Sequence, residues 1–225
     1  MQDQTPLGIL HFLTHADAIG IGLLVVMLFM SVLSWTLIVV RIRRAHVANA
    51  RNKAFARRFK AGEELTATRD GRPGAGFERI AQAGLAAVRH CAAEAEVPSV
   101  AAPAVQFHLD RALQQQIDDE ILELESGQTA LASIASSAPF IGLFGTVWGI
   151  YHALLKIGAT GQSSLDQVAG PIGEALIMTA CGLAVAIPAG LAYNAFQRQL
   201  RVQIAELEQF ANALQLRLLS GRAPA

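Results

Sequence analysis

The chain has 225 residues, of which 52% are apolar and only 16% charged, and its formal net charge is zero. That balance shifts the expectation from a water-soluble domain toward the membrane and gives no electrostatic reason to expect nucleic acid as a partner. The zero is an average over an uneven distribution: no Lys or Arg precedes Arg41, a basic stretch follows it, and acidic residues gather between Asp110 and Glu125.

Residues 19–40, IGIGLLVVMLFMSVLSWTLIVV, carry no charge, and about 20 helical residues at about 1.5 Å each cover the hydrocarbon core of a bilayer. This is the first predicted span. A secretory signal peptide competes, because Ala48-Asn-Ala50 resembles a cleavage site. It fails because no basic residue precedes the apolar run, the run is too long, and Arg41, Arg43 and Arg44 stand on the wrong side of it. The same arginines anchor that end in the cytoplasm and leave residues 1–18 periplasmic, with Trp35 suited to the inner interface.

Residues 41–129 read as a cytoplasmic helical segment. Arg41 to Lys60 is basic, Ala-rich and poor in breakers, so it continues the first helix, and the GRPGAG stretch at Gly71 to Gly76 interrupts it. Phe77 to Glu96 forms a further helix. Beyond Pro98 and Pro103, the run from Val105 to Glu125 alternates apolar and charged positions at helical spacing, which predicts one long helix leading into the next span. His90 and His108 have no partners at metal-ligand spacing and are expected to be solvated or capping. Cys91 is in a polar segment and Cys181 in an apolar one, so both are expected to be reduced.

Two more spans, residues 130–155 and 168–196, flank a short link, KIGATGQSSLDQ, at residues 156–167. The pair reads as a transmembrane hairpin. Arg198 and Arg201 follow the third span, which places the link outside and residues 197–225 inside, as a continuing helix. Its stripe of Leu200, Ile204, Leu207, Phe210, Leu214 and Leu218 wants a partner helix. The predicted fold is therefore an all-α integral membrane protein with three transmembrane helices, the second and third extending into the cytoplasm.

Gly145 and Gly149 in the second span, and Gly182, Ala186 and Gly190 in the third, are small residues at four-residue spacing, which lets membrane helices approach closely. Packing is the expected role for them. Glu174 is different: an ionised carboxylate facing lipid costs on the order of 3 kcal/mol or more, so it should face a protected or watery interior. Two plainer alternatives compete. The helix could begin after Glu174, or the carboxylate could merely stabilise the helix N-terminus. Residues equally far from the turn of a hairpin lie at similar depth, and Thr146 and Thr179 meet that condition with Glu174 roughly 7 Å nearer the outside. A carboxylate above two hydroxyls makes a polar lane, although each hydroxyl could equally bond its own helix carbonyl. Phosphate-loop, H-E-x-x-H and G-x-S-x-G motifs are all missing from the sequence, so neither nucleotide hydrolysis nor proteolysis is suggested, and no cofactor or metal is expected.

The stretch Ser137-Ala-Pro-Phe-Ile-Gly-Leu-Phe-Gly-Thr-Val-Trp-Gly-Ile150, and Gly170-Pro-Ile-Gly-Glu-Ala-Leu176 through Asn194, resemble the ExbB/TolQ proton-channel family, itself distantly related to MotA. His15-Ala-Asp17 and Ser34-Trp35 extend the resemblance and favour its ExbB branch. The resemblance implies a pentameric homo-oligomer, a ring in the bacterial inner membrane around the single transmembrane helix of an ExbD-type partner that supplies an essential aspartate. It also implies that proton movement powers TonB and the import of iron complexes, with Glu174, Thr146 and Thr179 on the proton path. A TolQ-type transducer or a structural scaffold are the alternatives.

Overall fold

In a computed structural model, residues 18–62, 74–94, 98–160 and 165–220 are described, and among them every regular element is helical. The order is α1 (Ala18–Lys60), α2 (Gly76–Glu94), α3 (Pro98–Glu125), α4 (Gln128–Thr160) and α5 (Leu165–Leu219). Three stretches are long and apolar enough to cross a membrane, within Ala18–Lys60, Ala104–Leu155 and Ala175–Leu219. The protein is thus an all-α membrane protein. His15 and Asp17, and residues 71–73 of the Gly-rich punctuation, lie outside the described residues.

Helix α1 runs without a break for 43 residues and α5 for 55. The helix expected to begin near Val105 starts earlier, at Pro98. Proline is well tolerated in a first helical turn, where its missing N–H has no partner to lose. The one long helix expected from Val105 into the second span is two helices. Gly127 adopts φ 80° between α3 and α4, a left-handed conformation that ends α3 after Glu125, and α4 restarts with Leu131 N donating to Gly127 O.

The chain divides into two compact units, Met1–Val39 with Gly127–Ala195, and Val40–Ser126 with Phe196–Ala225. In the second, the apolar stripe of α5 finds its partners. Leu207, Phe210, Ala211 and Leu214 share one core with Phe55 of α1, Ile80 of α2 and Leu109 and Leu113 of α3. Phe210 stacks on Phe77 at 4.5 Å between centroids and meets Phe55 and Phe59 edge-on at 5.9 and 5.2 Å. Burial of this apolar area is what holds four amphipathic helices together. Helix ends are closed by side chains from neighbours. Asn52 Oδ1 accepts from Phe77 N at the start of α2, and Arg41 donates to Leu124 O and Ser126 O at the end of α3.

In the first unit, α1 buries a stripe of Met27, Ser34 and Ile38, and α4 and α5 bury Leu131, Ile134, Ala138, Ala175, Met178 and Ala189. Their other faces expose Val25, Leu28, Phe29, Phe140, Val147 and Leu191. So much uncovered apolar surface would be untenable in water and suits lipid or further membrane helices.

Candidate functional site

Small residues determine where α4 and α5 meet. A Cβ on Gly142 would lie 2.7 Å from the Met178 carbonyl oxygen, 3.1 Å from Gly182 Cα and 3.2 Å from Thr179 Cα. One on Gly182 would lie 2.7 Å from Ala138 O, and one on Gly149 2.9 Å from Ala175 Cβ. These are contacts to backbone or to a fixed methyl, so neither side can yield. Gly145 instead faces the flexible Met178 side chain, at 2.8 Å to its terminal carbon. Ala186 is buried, and at Gly190 a methyl would make only ordinary contact, 3.5 Å from Ala135 Cβ. Gly142, which spacing of four did not single out, is with Gly182 the tightest point of the seam. The signal for it is the alternation of three and four in Ala138, Gly142, Gly145 and Gly149.

The crossing brings Thr146 and Thr179 together. Their hydroxyls share a short hydrogen bond, and Thr146 Oγ1 also donates to Gly142 O at 3.1 Å. A hydroxyl has one hydrogen to give, so Thr179 donates to Thr146, which donates to the carbonyl. Thr146 is buried and Thr179 half-buried. The oxygen of Thr179 therefore keeps its lone pairs for an incoming donor, and any outside group reaches the pair through it.

Glu174 lies on α5, nine residues after Leu165 opens the helix. That disposes of the alternative in which the helix begins after it, and it weakens the helix-terminus alternative, because the dipole effect fades within the first turn. Its side chain lies outside what the structure describes, but its level does not. Gly149 lies against Ala175, so in this antiparallel pair Glu174 is level with Ile150, between Trp148 and His152 of α4.

His152 was not singled out from the sequence, although it is an ionisable residue inside a predicted span and the argument applied to Glu174 covers it equally. Its Nδ1 lies 3.2 Å from Trp148 O, and its ring stands 4.5 Å from the Trp148 indole and 5.4 Å from the Tyr151 ring. Trp148 Nε1 is buried with no acceptor among the described residues.

The topology anchors separate. Arg43 and Arg44 are exposed, whereas Arg41 caps α3 and stacks over Phe196 at 5.2 Å. Burial lowers its pKa, and the nearby Glu125 pulls the other way. In the second unit Arg79 binds Glu120 and Glu123 at 2.5 and 2.8 Å. Burial works to lower the Arg79 pKa, but the hydrogen bonds and charges of Glu120 and then Glu123 outweigh it and the net shift is upward. His90 and His108 line one groove with Cys91 and Arg111, of about 370 Å³, and among the described residues no three metal-ligating side chains converge.

A family model, "MotA/TolQ/ExbB proton channel family", matches residues 75–209. The chain is similar to the biopolymer transport protein ExbB of Neisseria meningitidis serogroup B, with 40% identity over 211 residues that cover 91% of this chain and 94% of that one. The ExbB of Xanthomonas campestris pv. campestris strain B100 is 42% identical over 203 residues, covering 88% and 80%. The Tol-Pal system protein TolQ of Haemophilus influenzae is 36% identical over 212 residues, covering 89% and 90%.

Proposed function

This chain belongs to the MotA/TolQ/ExbB proton channel family, and on that premise we propose that it is the ExbB-type subunit of an inner-membrane complex. That complex uses the proton motive force to energise TonB-dependent import across the outer membrane. The observation that carries the reading is the hydroxyl pair of Thr146 and Thr179 in the hairpin seam, with Glu174 about five residues, or about 7.5 Å, along α5. In the proposed complex, copies of this chain, five in number, surround the single span of an ExbD-type partner. The three spans run with the N-terminus periplasmic and residues 197–225 cytoplasmic.

The chemistry follows from the donor chain. Because Thr179 gives its only hydrogen to Thr146, its oxygen accepts, and a protonated carboxylic acid on the partner is the complementary donor. Of these three residues Glu174 is the one that can hold a proton, whereas the hydroxyls can only pass or steady one. A second carboxylate, on the partner, completes the relay. Replacing Glu174 by Ala is expected to abolish TonB-dependent uptake with the complex still assembled. Uptake retained at normal expression would sink the proposal.

The TolQ relative covers 89% of the chain, against 91% and 88% for the two ExbB relatives, which favours a Tol-Pal transducer as the second reading. Complementation separates them: rescue of siderophore uptake supports the ExbB role, and rescue of detergent sensitivity supports the TolQ role.

A further inference from the structure

We propose that the part of α1 beyond Arg41 carries a docking face for the next copy of this chain, and that this face receives the exposed acidic side of the neighbour's α3. This rests on the ring of copies proposed above and names the two surfaces that meet outside the membrane.

Both surfaces belong to the second compact unit, and each lies opposite the side that its helix buries. On α1, Phe55 is buried, whereas Arg43, Val47, Ala50 and Lys53 follow one another at spacings of three and four and are exposed. On α3, Leu109, Leu113, Ile117 and Glu120 are buried, whereas Asp118, Leu122 and Glu125 are exposed on the far side with Asp119 at its flank. Arg43 and Lys53 make no ion pair among the described residues, and neither do Asp118 and Asp119. Asp118 accepts only from the neutral Gln114. Glu123 already holds Arg79, and Glu125 lies near Arg41. The two aspartates are thus the carboxylates at this end of α3 that lack a counter-charge.

Depth decides whether the surfaces can meet. Copies that cross one membrane in the same direction are related by rotation about its normal, so residues that touch lie at about the same depth. Arg41 donates to Leu124 O and Ser126 O, and Phe55 shares a core with Leu109 and Leu113, so α1 and α3 run antiparallel with Arg41 level with Glu125. Val47, six residues past Arg41, is therefore level with Asp119, six before Glu125. Arg43 falls at the level of Leu122 to Glu125, and Lys53 is within about 7.5 Å of the level of Asp118. Farther out the match ends, because Arg57 and the exposed Arg111 stand near one level and are both positive. Surface ion pairs contribute little singly, so charge here selects which face meets which. Val47 and Leu122, both exposed, supply an apolar centre, and Ala50 leaves room beside it. Anionic lipid competes for the same cations, but headgroups extend only about 5–8 Å beyond the hydrocarbon. Lys53 is twelve residues, about 18 Å, past Arg41.

The test uses full-length chains assembled with the single-span partner in membranes, on a Cys91→Ser, Cys181→Ser background. Two differently tagged copies are co-expressed, one with Val47→Cys and the other with Leu122→Cys. Mild oxidation is expected to give a disulfide-linked dimer that carries both tags. Asp118→Lys with Asp119→Lys in the Leu122→Cys copy is expected to slow that linkage at least about tenfold, and Lys53→Glu in the Val47→Cys copy to restore part of it. A merely misfolded chain would not be restored by a second charge reversal. No linkage between tags, while native mass shows several copies in the complex, overturns the docking face and leaves the channel reading standing. Linkage at an unchanged rate after the aspartate reversal overturns the charge match. Anionic phospholipid lost from the purified complex in Lys53→Gln, with linkage unchanged, makes lipid the occupant of the α1 face and overturns the proposal too. A complex that holds a single copy of this chain defeats the ring itself, and the docking face with it.

Discussion

Gly142 shows how little space separates packing from function in the hairpin. Its missing side chain lets the Met178 carbonyl come within 2.7 Å of where a Cβ would stand, so the α-hydrogen there points at an oxygen acceptor. A methyl at that point cannot be absorbed by a side-chain rotation. Gly142→Ala is expected to destabilise the hairpin by about 1–3 kcal/mol, read as lower resistance to unfolding in a detergent titration, and to lower proton flux as the Thr146–Thr179 bond lengthens. Gly190→Ala is the control, since its methyl would meet Ala135 at 3.5 Å. It is expected to be neutral or slightly stabilising, because Ala is the better helix former. Equal losses in both would mean that the seam is not where the helices are tightest. Equal depth of the two threonines was legible in the sequence, because a short link between antiparallel helices fixes which positions are level. Gly142 was not, because a search for small residues every four positions passes over a seam that alternates three and four. His152 was legible in principle by the rule that drew attention to Glu174, but an aromatic neighbourhood is less conspicuous in a sequence than a lone carboxylate.

At the scale of elements, α3 and α4 turn on one conformational requirement. The heptad-like pattern from Val105 onward continues through Ser126 and Gly127, so periodicity favours a single helix, and an isolated Gly within a helical pattern is ambiguous from sequence alone. What decides it lies elsewhere in the chain. Arg41 of α1, distant in sequence, donates to Leu124 O and Ser126 O and so satisfies carbonyls that a continuous helix would have used. Arginine stays charged in proteins, so this cap persists even though burial pulls the Arg41 pKa downward. Gly127 at φ 80° then closes α3. Gly127→Ala is expected to cost about 1–2 kcal/mol, the penalty of left-handed backbone for a residue with a Cβ. Its methyl would also press on Leu37 Cδ2 at 3.3 Å. Gly127→Asn should cost less, because Asn tolerates that conformation better. Thermal unfolding in detergent that ranked Gly above Asn above Ala would confirm the cap. Ala as stable as Gly would instead favour the continuous helix of the periodicity.

For the whole molecule, the two units part at Val39, Ser126 and Ala195, and different forces hold each. Spans, the Gly-rich hairpin and the stripe on α5 were legible because hydropathy and helical spacing are properties of local sequence. The core that covers that stripe was not, since Phe55, Phe77 and Phe210 are far apart in the chain and meet only through the fold. Phe210 is the centre of that core, stacked on Phe77 and edge-on to Phe55 and Phe59. Truncating a buried Phe typically costs about 3–5 kcal/mol, a large fraction of the stability of a small unit. The hairpin draws nothing from these rings, because its own seam is made by Gly142, Gly149 and Gly182 against α5 and α4 backbone. Phe210→Ala is therefore expected to expose residues 40–126 to limited proteolysis in inside-out vesicles while the peptides of α4, and of α5 up to Ala195, stay intact. Should those peptides be cut as readily as the rest, the two units would have to be one cooperative structure, held together through α1 and α5.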